Sequence, residues 1–318
     1  MNGNAPKIEI FAPFAAAYEW MKTMLFRPFD AAKWFVIAFA ALLGGNFGPS
    51  FRFNYGNGNW RYRATTHGDT PTDWNFTPWI IGLAIAIVLI ALLFGIVWAW
   101  VSARGRFIFI DCVVKNRAAI AEPWREFRRE GNSYFLFSLI VGLGFFILLA
   151  IVGVCGWLLF FGWDGRGKSM AIIVVLVVSV LVLIVLSLAF ALVSNFMVPI
   201  MYRLRCSAGE AFRNVTQLIL ANPGPFVLYV LFMIVLAVAL VIIGTTVACM
   251  TCCIGALPYI STVLLLPAIV WLAAFKLLFL RQFGDQYDAW ATVALSEPAA
   301  TPPAPPIENM PPAPPPAL

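Results

Sequence analysis

By type and spacing, the residues best suited to chemistry are three cysteines in TTVACMTCC, residues 245–253. Cys249, Cys252 and Cys253 fall at i, i+3 and i+4, which puts three thiols on one helical face beside the thioether of Met250. Donors this soft can hold Cu(I) or Zn, and a Cys-x-x-Cys pair can cycle between thiol and disulfide. Against both stands ordinary packing: Cys is a small, polarisable residue in apolar surroundings, and no His or second Cys pair lies nearby. The three are weak candidates for a metal or thiol sensor, and no cofactor is expected. The single histidine, His67, sits in a Gly- and Asn-rich connection. A His-based metal centre or proton relay therefore cannot be built within the apolar segments.

Acid–base chemistry has as little to work with. Glu126 and Glu130 alternate with Arg125, Arg128 and Arg129, the pattern of a solvated helix face rather than of a paired-carboxylate site. No nucleophile elbow, phosphate loop or metal signature is present, so an enzyme is not expected. Ion-coupled transporters keep charges inside their spans, and the strong apolar runs here have none. Their main polar break is SNFMVP, where Asn195 and Pro199 mark a possible substrate path, because proline frees a backbone carbonyl. The bland reading of Asn195 is a hydrogen bond to a neighbouring helix.

The elements that would position these residues are set by composition. The chain is 62% hydrophobic and 11% charged, far from the soluble average of about 45–50% apolar and about 25% charged. That balance calls for an integral membrane protein. Five uncharged runs reach the roughly 20 residues a helix needs to cross the bilayer: 78–101, 135–162, 170–202, 225–253 and 256–275. A sixth, 31–48, contains Lys33 and weakens near Gly45, so it either crosses with little tilt or re-enters. The expected fold is thus an all-α bundle of six transmembrane helices, with residues 1–290 as the membrane domain. No removable signal peptide is expected, since Glu9 precedes the first run and no cleavage pattern follows it.

With six spans, 16 of the 21 Lys and Arg fall on one side, which predicts that both termini are cytoplasmic. Net charge is +6, but the basic residues flank apolar runs rather than forming an exposed nucleic-acid face, so anionic lipid is the expected partner. The segment WVSARGRFIFIDCVVKNRA, residues 100–118, reads as an amphipathic helix lying on the membrane. Arg104, Arg106, Phe107, Lys115, Arg117, Trp124 and Arg128, all in the connector 103–134, are the expected membrane-surface contacts, and a helix packed on the bundle is the alternative. Residues 11–29, 119–137 and 206–226 each set an aromatic, basic stretch before a hydrophobic hairpin, a loose pattern of three repeats. Residues 46–77 read as an irregular external loop. Residues 291–318 read as a disordered, Pro-rich cytoplasmic tail, with ten prolines from Pro298 onward, suited to a protein partner or to a spacer.

The stretches RGRFIFIDCVVKNRAAIAEPW, EGNSYFLF, FMVPIMYR, AFRNV, CCIGALPYISTVLLLPAIVW and LRQFGDQYDAW together resemble a family of uncharacterised bacterial polytopic membrane proteins over roughly residues 10–290. More distantly, the alternation of surface helix and hairpin is similar to the membrane domain fused to bacterial glycerophosphodiester phosphodiesterases. The resemblance implies a bacterial cytoplasmic membrane and a lipid or envelope context, with no catalytic residues to carry over. Three functional classes remain: a non-enzymatic organiser of lipids or partners, a carrier or flippase for a lipid-like substrate, and the thiol or metal sensor.

Overall fold

The computed structural model describes residues 8–45, 78–162, 168–250 and 257–291, and every element among them is helical. In chain order these are α1 (Phe11–Phe26), α2 (Ala31–Leu43), α3 (Pro78–Val114), α4 (Ala121–Glu126), α5 (Arg128–Gly162), α6 (Lys168–Leu204), α7 (Ala208–Ala221), α8 (Pro223–Met250), α9 (Pro258–Leu264) and α10 (Leu266–Arg281), followed by a short 3-10 helix, Asp285–Tyr287. The predicted loop 46–77, and the predicted tail beyond residue 291, lie outside the described residues.

Among the described residues four helices, α3, α5, α6 and α8, are long and apolar enough to cross a membrane, against the six spans predicted. Helix α2 has 13 residues, or about 20 Å at 1.5 Å per residue, short of the roughly 30 Å hydrocarbon core. It stops at Gly44 and Gly45, the latter at φ +76°, a conformation that suits glycine. The predicted span 256–275 is two helices, broken at Leu265. Pro267 explains the break, because it has no N–H for the carbonyl of Val263. That carbonyl accepts instead from the indole N–H of Trp34 at 3.0 Å, which ties α9 to α2.

Each long helix has a buried half and an exposed half. Residues 82–99 of α3 are exposed along their length, whereas 103–114 are buried except for Arg106. The upper parts of α5, α6 and α8 are likewise lined by exposed Leu, Ile, Val and Phe. Their hub ends contribute Tyr134, Phe196 to Tyr202, Phe226 and Tyr229 to the core. Helices α3 and α6 enter this hub with their C-terminal ends, and α5 and α8 leave it with their N-terminal ends. Along the described exposed halves, the arms, there is no charged residue except Lys168 at the far tip of α6. Arms of this length and apolarity suit lipid rather than water.

The hub corrects the reading of residues 103–114 as a surface helix. They continue α3 without a break, and Phe107, Ile108, Asp111, Cys112 and Val113 are 0% exposed. Phe107 is thus a core residue, stacked on Phe127 at 5.8 Å, and not a lipid contact. A helix covered on all sides needs partners for its polar groups. Arg104 finds Asn132, Arg106 finds Tyr134 and Asp111 finds Tyr202.

Around this segment the short helices form a collar. Phe14 of α1 packs on Trp271 of α10 at 4.4 Å, and the Trp271 indole donates to the Phe14 carbonyl at 3.0 Å. Glu9 and Gln282 exchange two hydrogen bonds of 2.8 Å. Helix α2 lies so close to α3 that a Cβ on Gly105 would sit 2.4 Å from the Leu43 carbonyl carbon. Helix α7 opens with a reciprocal capping box between Ser207 and Glu210. The backbone and hydroxyl hydrogen bonds from Ser207 hold the Glu210 carboxyl below its usual range.

Candidate functional site

Two polar constellations occupy the hub, and they differ in what they leave free. The first starts from a helix end. Asn116 takes φ 50° and terminates α3, the left-handed stop that Asn tolerates better than most residues. The N–H of Arg117 then turns back to the carbonyl of Cys112 at 3.3 Å, which brings the Arg117 side chain beside Asp111. Asp111 Oδ1 accepts from the Tyr202 hydroxyl at 3.0 Å and faces Lys115 Nζ at 2.8 Å. Its Oδ2 accepts from Arg117 Nε at 3.1 Å and Nη2 at 2.9 Å.

A carboxylate offers about four lone-pair sites, and here four donors fill them. A saturated carboxylate has no lone pair left to take a substrate proton, so Asp111 is a fastener between α3 and α6. Lys115 extends it to Glu126 at 3.5 Å, and Arg117 extends it to Glu122 at 2.7 Å on α4. Burial alone would lower the Arg117 guanidinium, but the hydrogen bonds to Asp111 and Glu122 outweigh it and hold the group above its ordinary value. Arg205, paired with Glu126, covers the ring of Phe127 at 4.0 Å.

The second constellation is a cavity of about 360 Å³ where the hub meets the arms. Its polar lining comes from separate elements: Arg106 of α3, Ser194 and Asn195 of α6, Tyr229 of α8 and Lys276 of α10. Apolar lining from Met233, Leu240, Leu265 and Leu272 rises beside it. Arg106 donates through Nη1 to the Tyr134 hydroxyl and lies over that ring at 5.3 Å. Among the described residues neither Arg106 nor Lys276 has a carboxylate within 4 Å, and the buried Ser194 hydroxyl has no hydrogen-bond partner. Burial first, and the neighbouring Arg106 second, push the Lys276 ammonium down to about 8. What this arrangement can do is receive an anion attached to an apolar body.

The sequence candidates divide between these places. Asn195 lines the cavity, and Pro199, one turn on, leaves the Asn195 carbonyl without its helical N–H. Pro199 itself is buried and does not line the cavity. Arg106 joins Asn195 there, whereas Lys115 and Arg117 serve the Asp111 fastener. Arg104, 6% exposed, is not a free headgroup contact: it bonds Asn132 at 2.8 Å and lies over Trp100 at 4.2 Å, with Trp124 5.2 Å away. Arg128 is exposed. Cys249 is exposed near the end of α8, while Cys252, Cys253 and His67 lie outside the described residues. Ser194 belongs to the same SNFMVP break as Asn195, whereas sequence reasoning missed Lys276 and Tyr229 as their partners. The available signal was a lone lysine in the apolar run AIVWLAAFKLLFL.

A second hollow, about 670 Å³ and almost wholly apolar, runs between α5 and α6. Phe137, Phe145 and Phe190 line it, and Phe212 and Thr216 of α7 also contribute.

No curated protein and no solved structure matches the chain. Residues 10–294, which take in the hub, all four arms and the cavity, match the model of a family of unknown function, DUF7544, and the chain belongs to that family.

Proposed function

We propose that this chain is a non-enzymatic membrane protein that holds anionic lipid, with the cavity at the junction of hub and arms as the headgroup site. The observation that carries this reading is the pair of cations, Arg106 and Lys276, that share one cavity without a carboxylate partner among the described residues. Both side chains are partly buried, where uncompensated charge is costly, and an anionic headgroup would relieve it while its chains join the apolar arms. Concentration of Lys and Arg at the hub supports a cytoplasmic orientation for that end, in a bacterial inner membrane. A six-pass arrangement with both termini cytoplasmic would need α2 and the broken α9–α10 pair to cross beside the four long helices. The distant likeness to a membrane domain fused to phosphodiesterases of lipid metabolism points to the same lipid setting.

Native mass spectrometry of gently extracted protein tests the reading. The parent should retain anionic phospholipid, and the Arg106→Gln, Lys276→Gln double variant should lose most of it while keeping zwitterionic lipid bound elsewhere. Equal retention of anionic lipid by both proteins would overturn the assignment.

One observation favours a carrier as the second reading: Asn195, beside the Pro199 break, lines the cavity. A carrier should move labelled phospholipid across reconstituted vesicles, and Asn195→Leu should slow that movement several-fold. Vesicles that show no movement with the parent protein exclude it.

A further inference from the structure

Resting on the lipid-binding reading above, we infer that the cavity selects a phosphate monoester headgroup, a dianion, over the singly charged phosphodiester of ordinary phospholipids. Charge matching is the first reason. Arg106 and Lys276 bring two positive charges, and the C-terminal end of α2, whose Gly44 and Gly45 line the same space, returns about half a negative charge through its aligned peptides. The balance is close to the charge of about −1.5 to −2 that a phosphate monoester carries at pH 7. A phosphodiester carries one charge, which would leave part of the cationic pair uncompensated.

Donor supply is the second reason, and it is independent of the first. Tyr134 engages Nη1 of Arg106, while Nε and Nη2 have no acceptor among the described residues. The same holds for the ammonium of Lys276. The Ser194 hydroxyl, on a residue only 9% exposed, lines the cavity and is unpaired. Donors thus enter from α3, α6 and α10, three separate walls. A monoester presents three terminal oxygens that can face three walls, whereas a diester presents two and spends its other positions on carbon substituents. Because Met233 and Leu240 line the cavity from the α8 arm, an apolar wall stands beside the donors, and the ligand is a lipid whose phosphate is terminal. A soluble phosphate ester would use the same donors without using the apolar wall.

The test uses full-length protein in detergent and compares three probes: a diacylglycerol phosphate monoester, the glycerol-headgroup diester with identical acyl chains, and inorganic phosphate. Affinity is read from thermal stabilisation across a titration. The monoester lipid should bind at least tenfold more tightly than the diester, and Lys276→Gln should shrink that ratio to about twofold or less. Lys276→Arg, which keeps the charge, should preserve most of the ratio and guards against a variant that merely misfolds. Equal binding of the two lipids would refute the dianion inference and leave the anionic-lipid reading standing. Binding of neither lipid would refute both. Inorganic phosphate acting as well as the monoester lipid would keep the dianion site and overturn its assignment to lipid.

Discussion

Asp111→Ala is expected to lower stability by about 3 kcal/mol, the lower end of the roughly 3–5 kcal/mol typical of breaking a buried ion pair. The lower end applies because Lys115 and Arg117 keep 23% and 29% of their side chains exposed and recover some hydration. The loss comes from both sides of the bond. Alanine removes the acceptor for the Tyr202 hydroxyl, which is buried, and releases Arg117 from the turn that Asn116 makes for it. In a detergent melting series Asp111→Ala should be the least stable single variant of the network. Tyr202→Phe should cost about 1.5–3 kcal/mol, as for a hydrogen bond to a charged group. Because the two side chains are the donor and acceptor of one hydrogen bond, the double variant should lose less than the sum of the singles. An Asp111→Ala protein that melts with the parent would show that α3 and α6 are held by apolar packing alone.

Gly105→Ala should be the other large effect, and it runs against intrinsic preference. Alanine is the better helix former by about 1 kcal/mol, so on propensity alone the change would stabilise α3. At this position, however, the new methyl would lie 2.4 Å from the carbonyl carbon of Leu43 and 2.6 Å from the amide nitrogen of Gly44. Those atoms are backbone and cannot rotate aside, so α2 must move as a body. Overpacking of this kind costs about 1–3 kcal/mol, and the shift would also disturb Gly44 and Gly45 at the cavity wall. Gly95→Ala is the control, since a Cβ there meets nothing within 4 Å on an exposed arm. A Gly105→Ala protein as stable as its Gly95→Ala counterpart would mean that the α2–α3 contact is looser than described.

The four arms were readable from sequence because an uncharged run longer than 20 residues has few other uses. Position in the hub was not readable. Residues 103–115 place Arg104, Asp111 and Lys115 on one side of a helix, which in isolation has the pattern of a membrane-surface segment. Their partners, Asn132, Tyr202 and Glu126, are 28, 91 and 11 residues away from them in sequence. Spacing along one segment carries no information about such partners, so a buried polar seam and a wet face look alike. The same blindness hid the cavity. Asn195 announced itself beside a proline, but Lys276 acquires meaning only when α10 packs against α3 and α6. The break at Leu265 was in principle legible, since Pro267 interrupts the run, yet the absence of charge made one continuous span the simpler reading.

The indole of Trp34 bears on that break in a further way. A proline-opened turn leaves a carbonyl that can recruit a water molecule, and each such molecule must then be kept in place. Here the vacated position on Val263 is filled by a ring nitrogen from another helix. The interruption can therefore stay dry, and the chain bends at Leu265 without opening a hydrated path through its own backbone.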